Sequence, residues 1–224
     1  LLLGAAAPFV LALPAAAQVT ISTATTTPIT TSTANSGAAA DVVIATGGSI
    51  TLTTAGATAV TVDSNNKVAN AGQITINNGD NSTGIKINPN LTTSYSGAGQ
   101  ISVVEDYTRT DADADGDLDG PLAQGTGRIG ILVSPGGTLT GDLLLDQGGS
   151  VNVEGNNSYG VSIQSLFNGN YRQRGAVSLV GSNGSTLDLR KNVSGNVGIG
   201  GITSAQGDEF FTEITDASLD KPRH

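Results

Sequence analysis

The phrase Ser49-Ile50-Thr51-Leu52, which alternates small polar and apolar residues, returns four more times along the chain. The later copies are Gln73-Ile74-Thr75-Ile76, Gln100-Ile101-Ser102-Val103, Ser150-Val151-Asn152-Val153 and Ala176-Val177-Ser178-Leu179. Alternation with a period of two residues is typical of a β-strand with one buried face. Recurrence at one long period indicates a fold built from stacked units.

A second phrase follows most copies of the first. Its copies are Ala59-Val60-Thr61-Val62, Gly84-Ile85-Lys86-Ile87, Gly160-Val161-Ser162-Ile163 and Thr186-Leu187-Asp188-Leu189. The step between the phrases is 10 residues from Ile50 to Val60 and 11 from Ile74 to Ile85. The step between units is 24 residues from Ile50 to Ile74 and 27 from Ile74 to Ile101.

Two strands and a weaker third segment in each unit predict an all-β fold, a right-handed parallel β-helix with turns stacked about 4.8 Å apart. The third segment is more variable and includes Val68, Leu91, Leu139 to Leu145 and Tyr171. An antiparallel β-sandwich is the alternative, because its turn signals at intervals of about 8–12 residues also occur here. The recurrence of both phrases at one longer period favours the β-helix.

Composition limits the classes of function. The net charge of −9 argues against nucleic-acid binding, which needs clustered Lys and Arg. The absence of Cys excludes disulfides, thiol catalysis and zinc–thiolate sites. With 31 Gly and only 4% aromatic residues, the chain is suited to a thin core of small layers rather than a large enzyme core.

The chain divides into four segments. Residues 1–17 resemble a signal peptide with a truncated start, because an apolar run from Leu1 to Leu13 precedes a small-residue cleavage site after Ala17. Residues 18–40 are a Thr/Ser-rich lead-in, either extended or an irregular first coil. The β-helix repeats occupy 41–205, and 206–224 begin a following segment. We therefore expect the protein to be exported.

One unit is longer than the others. From Ile101 to Ile131 the step is 30 residues, about 20 more than the usual 10 or 11. The extra residues predict an inserted loop near 105–126. This insertion contains the most distinctive residue pattern in the chain, the run Asp111-Ala112-Asp113-Ala114-Asp115-Gly116-Asp117-Leu118-Asp119-Gly120.

Alternating Asp followed by Gly matches the first part of an oxygen-rich calcium loop. The carboxylates of Asp111, Asp113 and Asp115, the backbone carbonyl of Asp117 and a direct or water-mediated contact from Asp119 are the expected ligands. The match ends at the twelfth position, where Leu122 replaces the bidentate Glu of complete loops. Glu105 or Asp106 would substitute only if the insertion folds back. The competing interpretation is a solvated acidic loop.

Catalytic constellations are scarce, and we predict no catalytic or cofactor-binding residues. His224 is the only His, so a Ser/His/Asp triad is not supported. Five charged residues could lie near one another on adjacent turns, either as an active site or as a row of solvated surface charges. They are Arg172, Arg174, Asp188, Arg190 and Lys191. The candidate sugar-stacking aromatics, which could equally pack the turns, are Tyr95, Tyr107, Tyr159 and Tyr171.

The outward positions of the first phrase are predicted to form one row of small polar side chains. They are Thr51, Thr75, Ser102, Asn152 and Ser178. Such a row suits repeated weak contact with a glycan, and it equally suits a soluble β wall.

Two turn sequences carry a family resemblance, together with the signal-like start and the Gly/Asn-rich coils. They are Asn78-Gly79-Asp80-Asn81-Ser82-Thr83-Gly84-Ile85 and Glu154-Gly155-Asn156-Asn157-Ser158-Tyr159-Gly160-Val161. Over about residues 41–205 the chain resembles the passenger domains of Gram-negative autotransporters (type V secretion proteins). The resemblance implies Sec export and display at the cell surface through a C-terminal outer-membrane barrel. Residues 206–224 do not supply this barrel, so the resemblance implies that the chain is an N-terminal fragment of a longer protein.

Two functions are expected on these grounds. The first is a noncatalytic passenger domain, at the cell surface or secreted, that acts in adhesion or as a surface scaffold and contacts a glycan or cell-surface receptor. The alternative is a secreted β-helical enzyme acting on acidic polysaccharide. Clustered acids and bases on one wall would favour the enzyme.

Overall fold

The computed structural model describes residues 17–207, and in this range the chain is all β. Parallel strands from successive turns stack into a solenoid of about seven turns, which confirms the parallel β-helix. Every pairing between named strands is parallel, so the antiparallel sandwich is excluded for these residues. The signal-peptide-like segment before residue 17 and the segment after residue 207 lie outside the described residues.

Three long sheets run along the solenoid. Sheet 1 contains Gln18–Ile21, Asp41–Ile44, Val68–Asn70, Tyr95–Gly97, Leu143–Leu145, Tyr171–Gln173 and Val197–Ile199. Sheet 2 contains Ala24–Thr25, Ser49–Leu52, Gln73–Asn77, Gln100–Val104, Ser150–Glu154, Ala176–Val180 and Thr203–Gln206. Sheet 3 contains Ile29–Thr30, Thr58–Val62, Thr83–Ile87, Ile129–Val133, Tyr159–Ile163 and Ser185–Leu189.

The variable third segment of each unit belongs to two different sheets. Val68 and Tyr171 lie in sheet 1, whereas Leu91 and Leu139 lie in a short sheet 4. Sheet 4 contains Leu91–Thr92, Thr138–Thr140 and Leu166–Asn168. The middle turns therefore have four sides. The segment 18–40 contributes the first strand of each long sheet.

Stacked apolar columns form the core. In sheet 2, Ile74 is aligned with Ile50 in the preceding turn and with Ile101 in the following turn, and all three are fully buried. In sheet 3, Ile85 is likewise aligned with Val60 and buried. Successive side chains of a strand point to opposite faces of the sheet, so the side chains between these apolar residues point outward. The repeated phrase therefore determines both the core face and the outer face of each sheet.

Sheet 1 carries some of the buried polar side chains. Tyr171 Oη donates to Gln173 Oε1 at 3.0 Å, and Gln173 Nε2 donates to the Ile202 carbonyl at 3.2 Å. Burial raises the pKa of the hydroxyls of Tyr95 and Tyr171. Both tyrosines are therefore interior packing residues rather than surface stacking platforms.

A row of left-handed residues precedes sheet 3, one in each of five successive turns. Its members, with φ between 51° and 71°, are Gly56, Asn81, Gly127, Asn157 and Asn183. The backbone N–H groups of the first four members donate to the next turn, as in Asn157 N to the Ser182 carbonyl at 2.8 Å. Gly and Asn suit this corner because they tolerate positive φ best.

Candidate calcium-binding hairpin and its anchor

The insertion leaves the solenoid after Val104 and returns at Ile129. The register is unchanged across it, since Ile131 aligns with Ile85 before it and with Val161 after it. The predicted inserted loop thus projects from one corner of the solenoid. The strands before and after it keep the regular stacking.

Glu105 connects the two ends of this excursion. Its Oε1 accepts a hydrogen bond from the Gln124 N–H at 2.7 Å, and its Oε2 accepts one from the Gly125 N–H at 2.6 Å. Oε2 also lies 2.9 Å from Nη1 of Arg128. The side chain of Glu105 is only 6% exposed. One buried carboxylate therefore holds the two ends of the insertion together.

Arg128 links the same base to the turns on either side. Its side chain is 2% exposed. Nη1 donates to the Glu154 carbonyl at 2.6 Å, Nε donates to the Gly79 carbonyl at 3.2 Å, and Nη2 lies 3.2 Å from Asp80 Oδ1. A buried guanidinium requires such partners, because an uncompensated charge would be strongly destabilising.

Arg128 is not among the site residues predicted above, although the sequence contains a signal for it. The equivalent position directly before each sheet 3 strand is small in the other turns, where it is Ala57, Ser82, Ser158 or Gly184. Arg128 is the one large cationic residue among these equivalent positions, and it lies next to the insertion that contains Glu105. This combination indicates a local ion pair.

Beyond its anchor the insertion closes as a short hairpin. Thr110 and Asp119 form an antiparallel bridge, with the Asp119 N–H donating to the Thr110 carbonyl at 2.9 Å. Nη2 of Arg109 donates to the Leu118 carbonyl. The Asp-rich run therefore occupies an exposed turn, held at a fixed place on the side of the solenoid.

Three of the five predicted metal ligands come together in this turn. Carboxylate oxygens of Asp111, Asp113 and Asp115 lie within 4.8 Å of one another, and all three residues are exposed. Gly116, with φ 100°, makes the predicted sharp turn, and its N–H donates to Asp111 Oδ2 at 3.1 Å. Oxygen donors at this spacing suit a hard cation such as calcium.

The carboxylates of the other two predicted ligands are not part of that group. Asp117 was expected to act through its carbonyl, and its N–H donates to Asp115 Oδ1 at 3.1 Å. The carboxylate of Asp119 accepts the Ala112 N–H at 2.7 Å and so fastens the far side of the turn.

The two acids considered as replacements for the missing twelfth ligand are engaged by the solenoid. Glu105 is held by Arg128, and Asp106 Oδ2 accepts from Asn78 Nδ2 at 2.6 Å. The donor set that the hairpin offers to a cation is therefore the three clustered carboxylates.

The charged residues considered for catalysis are divided between faces. Arg172 lies on sheet 1, near Asp142, whereas Asp188 lies on sheet 3. Asp188 Oδ2 accepts from Arg190 Nε at 2.7 Å and from Ser162 Oγ at 2.6 Å. Arg174 pairs with Asp146 at 3.7 Å, with both side chains exposed. Lys191 follows Arg190 and lines a shallow surface hollow.

The remaining aromatic candidates also have structural neighbours. The guanidinium of Arg190 lies 5.1 Å from the ring centroid of Tyr159, a cation–π arrangement. Tyr107 lies within the insertion, with its hydroxyl beside Gly120.

The predicted polar row exists as a continuous feature of sheet 2. Direct register aligns Thr51, Thr75, Ser102, Asn152 and Ser178. Ser178 Oγ donates to Asn152 Oδ1 at 2.8 Å, so neighbouring members also bond to each other.

Comparison of the chain with protein-family models, with curated proteins and with solved structures finds no match. Within residues 17–207, no helix has the length and apolar character needed to cross a membrane.

Proposed function

We propose that this protein is a noncatalytic passenger of the cell surface that acts in adhesion, with the Asp-rich hairpin as its specific contact element and calcium as the ion that orders it. The observation that carries this proposal is the combination of an exposed acidic hairpin with a buried anchor. The solenoid acts as a scaffold, and Arg128 with Glu105 fixes where the hairpin projects.

Calcium has a physical role in this arrangement. Two unit charges about 4 Å apart repel by about 1 kcal/mol even in water, and the repulsion grows as solvent is excluded. A divalent cation among Asp111, Asp113 and Asp115 removes this repulsion and joins residues on both sides of the turn. The bound ion also leaves the hairpin able to bridge to carboxylates or hydroxyls of a partner.

The partner class is a cell-surface glycan or a glycan-bearing receptor. In the sheet 2 row, Ser102 is buried, and the other four members are half-buried. These four offer neutral hydroxyl and amide groups at the spacing of the turns, which suits hydrogen bonds to sugar hydroxyls. The net charge of −9 disfavours polyanionic partners elsewhere on the surface. For the alternative, an enzyme acting on acidic polysaccharide, the separation of Arg172 from Asp188 offers no support.

The test is binding of the purified full chain to a glycan array and to intact cells, with and without calcium. One variant replaces residues 107–122 by a short Gly-Ser turn and keeps Glu105 and Arg128. A second variant places Arg at the half-buried Thr51 and Thr75 to obstruct the sheet 2 row. Loss of binding in either variant, with an unchanged circular dichroism spectrum, supports the proposal. Equal or absent binding in all proteins contradicts it.

Export is tested separately in the organism that produces the protein. Antibodies against the folded solenoid should label intact cells or the culture medium, and external protease should remove the cell-associated signal. Labelling that appears only after cell lysis would contradict the surface assignment.

A further inference from the structure

Three asparagines in the described chain are followed directly by glycine: Asn78-Gly79, Asn168-Gly169 and Asn183-Gly184. In such a pair the backbone nitrogen of glycine can attack the asparagine amide carbon. Glycine favours this reaction because it has no side chain to hinder the approach. The structure gives the three pairs very different environments.

The first two asparagines are held by hydrogen bonds. Asn78 Nδ2 donates to Asp106 Oδ2 at 2.6 Å, and its Oδ1 accepts the Asp106 N–H at 2.9 Å, so both amide atoms are fixed. Asn168 ends a strand of sheet 4, and its Oδ1 accepts from Ser194 Oγ at 2.8 Å. Rotation of either amide toward its glycine nitrogen requires these bonds to break.

Asn183 has no such restraint from the described part of the chain. It is exposed, it has φ 56°, and within residues 17–207 its side chain makes no hydrogen bond. The N–H of Gly184 likewise donates no hydrogen bond within these residues. Attack at this pair therefore requires no bond of the fold to break.

Within the corner row, an Asn-Gly pair occurs at this corner alone, and the packing of the turns explains why. Asn81 and Asn157 occupy equivalent corners, but the residues after them are the buried Ser82 and Ser158. At the last corner the equivalent residue must be Gly184, because a Cβ there would overlap the Ser158 carbonyl. Tight stacking thus places glycine directly after an unrestrained asparagine.

We propose that Asn183 is a site of spontaneous deamidation and backbone isomerisation in the folded protein. The Gly184 nitrogen forms a bond to Asn183 Cγ, and the amide nitrogen leaves as ammonia, which gives a cyclic imide. Water then opens the ring at either carbonyl to give aspartate or isoaspartate. Water is the only co-reactant, and no oxidant or reductant is needed.

The two products affect the fold differently. Aspartate adds one negative charge at a corner whose left-handed backbone it tolerates. Isoaspartate inserts a methylene into the main chain beside the contact of Gly184 with Ser158. It therefore loosens the pairing of Ser185–Leu189 with Tyr159–Ile163, near the C-terminal end of the described solenoid.

The experiment incubates the full chain at mildly alkaline pH and physiological temperature and follows each pair by peptide mass spectrometry. Chain unfolded in urea serves as the reference. Deamidation several-fold faster at Asn183 than at Asn78 and Asn168 is expected in the folded protein. Equal rates at the three sites, or an Asn183 that reacts only in urea, would overturn the proposal.

Two variants sharpen the result. Asn183→Gly keeps the left-handed corner, as Gly56 and Gly127 do in other turns, and should abolish the isoaspartate signal there. Asp106→Ala frees both amide atoms of Asn78 and should bring its rate toward that of Asn183. An unchanged Asn78 rate in this variant would refute the role assigned to these hydrogen bonds.

Discussion

Arg128 Nη1 lies 2.9 Å from Glu105 Oε2, and this buried pair joins the two ends of the insertion, 23 residues apart in sequence. The same guanidinium reaches carbonyls of Gly79 and Glu154, which belong to the preceding and following turns. A single side chain therefore decides how the hairpin is mounted on the solenoid.

Removal of this guanidinium should be strongly destabilising. Arg128→Ala leaves the 6% exposed carboxyl group of Glu105 without its cationic partner, and the expected loss is about 3–5 kcal/mol. Urea denaturation followed by circular dichroism gives the comparison. Arg174→Ala is the control, because its 3.7 Å pair with Asp146 is exposed and should cost about 0–1 kcal/mol. Equal costs for the two variants would contradict the anchoring role.

Calcium should bind the hairpin through a small set of carboxylates. Wild-type protein should release or absorb heat on titration, with a dissociation constant near the weak range of extracellular modules, about 10⁻⁴–10⁻³ M. Asp113→Asn should weaken binding, because Asp113 belongs to the carboxylate cluster. Calorimetry and thermal melts with and without a chelator measure both effects.

Asp117→Asn provides the charge-matched control for this experiment. It removes one negative charge from the same hairpin but keeps the backbone carbonyl through which Asp117 is predicted to act. Near-normal calcium affinity is expected. If the two variants behave alike, only the net charge of the hairpin matters and the site assignment is wrong.

Gly97 is required by the ring of Tyr95. The Tyr95 hydroxyl is buried, and neither the nearby Asn70 amide nor another described group makes a well-formed hydrogen bond to it. A Cβ at position 97 would overlap that hydroxyl. Gly97→Ala should therefore destabilise the protein by about 1–3 kcal/mol, the usual cost of overpacking.

A double-mutant cycle isolates this contact. Tyr95→Phe removes the unpaired hydroxyl and should be neutral or stabilising. Gly97→Ala should then cost less in the Tyr95→Phe background than in the wild type, measured from urea midpoints. Additive effects would show that another neighbour of Gly97 causes the strain.

Asp63 should make the first turns of the solenoid sensitive to acid. Burial raises its pKa, but hydrogen bonds from Ser32 and Thr31 outweigh this effect and lower the pKa below its ordinary value of 3.8. The contacts include Ser32 Oγ to Oδ2 at 2.7 Å and Ser32 N to Oδ1 at 2.9 Å. A depressed folded pKa contributes stability above the unfolded pKa, and this contribution is lost as pH falls through the folded value.

The matched comparison is Asp63→Asn, which removes the charge and keeps one carbonyl acceptor. The variant should be less stable than the wild type near neutral pH, and the difference should shrink as pH falls below 3.8. Thermal melts across this pH range test the sign. A difference that grows on acidification would contradict the assignment.

The regular part of the fold could be predicted because it depends on local alternation and on one period. Ile50, Ile74 and Ile101 occupy the same place in their phrases, and the structure stacks them in one buried column. The spacing of Asp111, Asp113 and Asp115 predicted a calcium loop, and their carboxylate oxygens lie within 4.8 Å of one another, because alternation within one turn is a local property. Calcium binding itself stays a prediction.

The corners depend on which carbonyls and side chains a neighbouring turn supplies, and that information is distant in sequence. Arg128 finds partners 48 and 49 residues away, at Asp80 and Gly79, only after the turns have stacked. The separation of Arg172 from Asp188 is decided in the same way, since adjacent sides of the solenoid face different directions.

The sequence by itself determined the strand phrases, their stacking and the position of the insertion, because alternation and period are written residue by residue. Only the tertiary structure decided the fourth side, the buried Arg128–Glu105 anchor and the unrestrained corner at Asn183. These features arise where one turn contacts the next. Their packing, burial and hydrogen bonds join residues that are far apart in sequence and meet only after the turns have stacked.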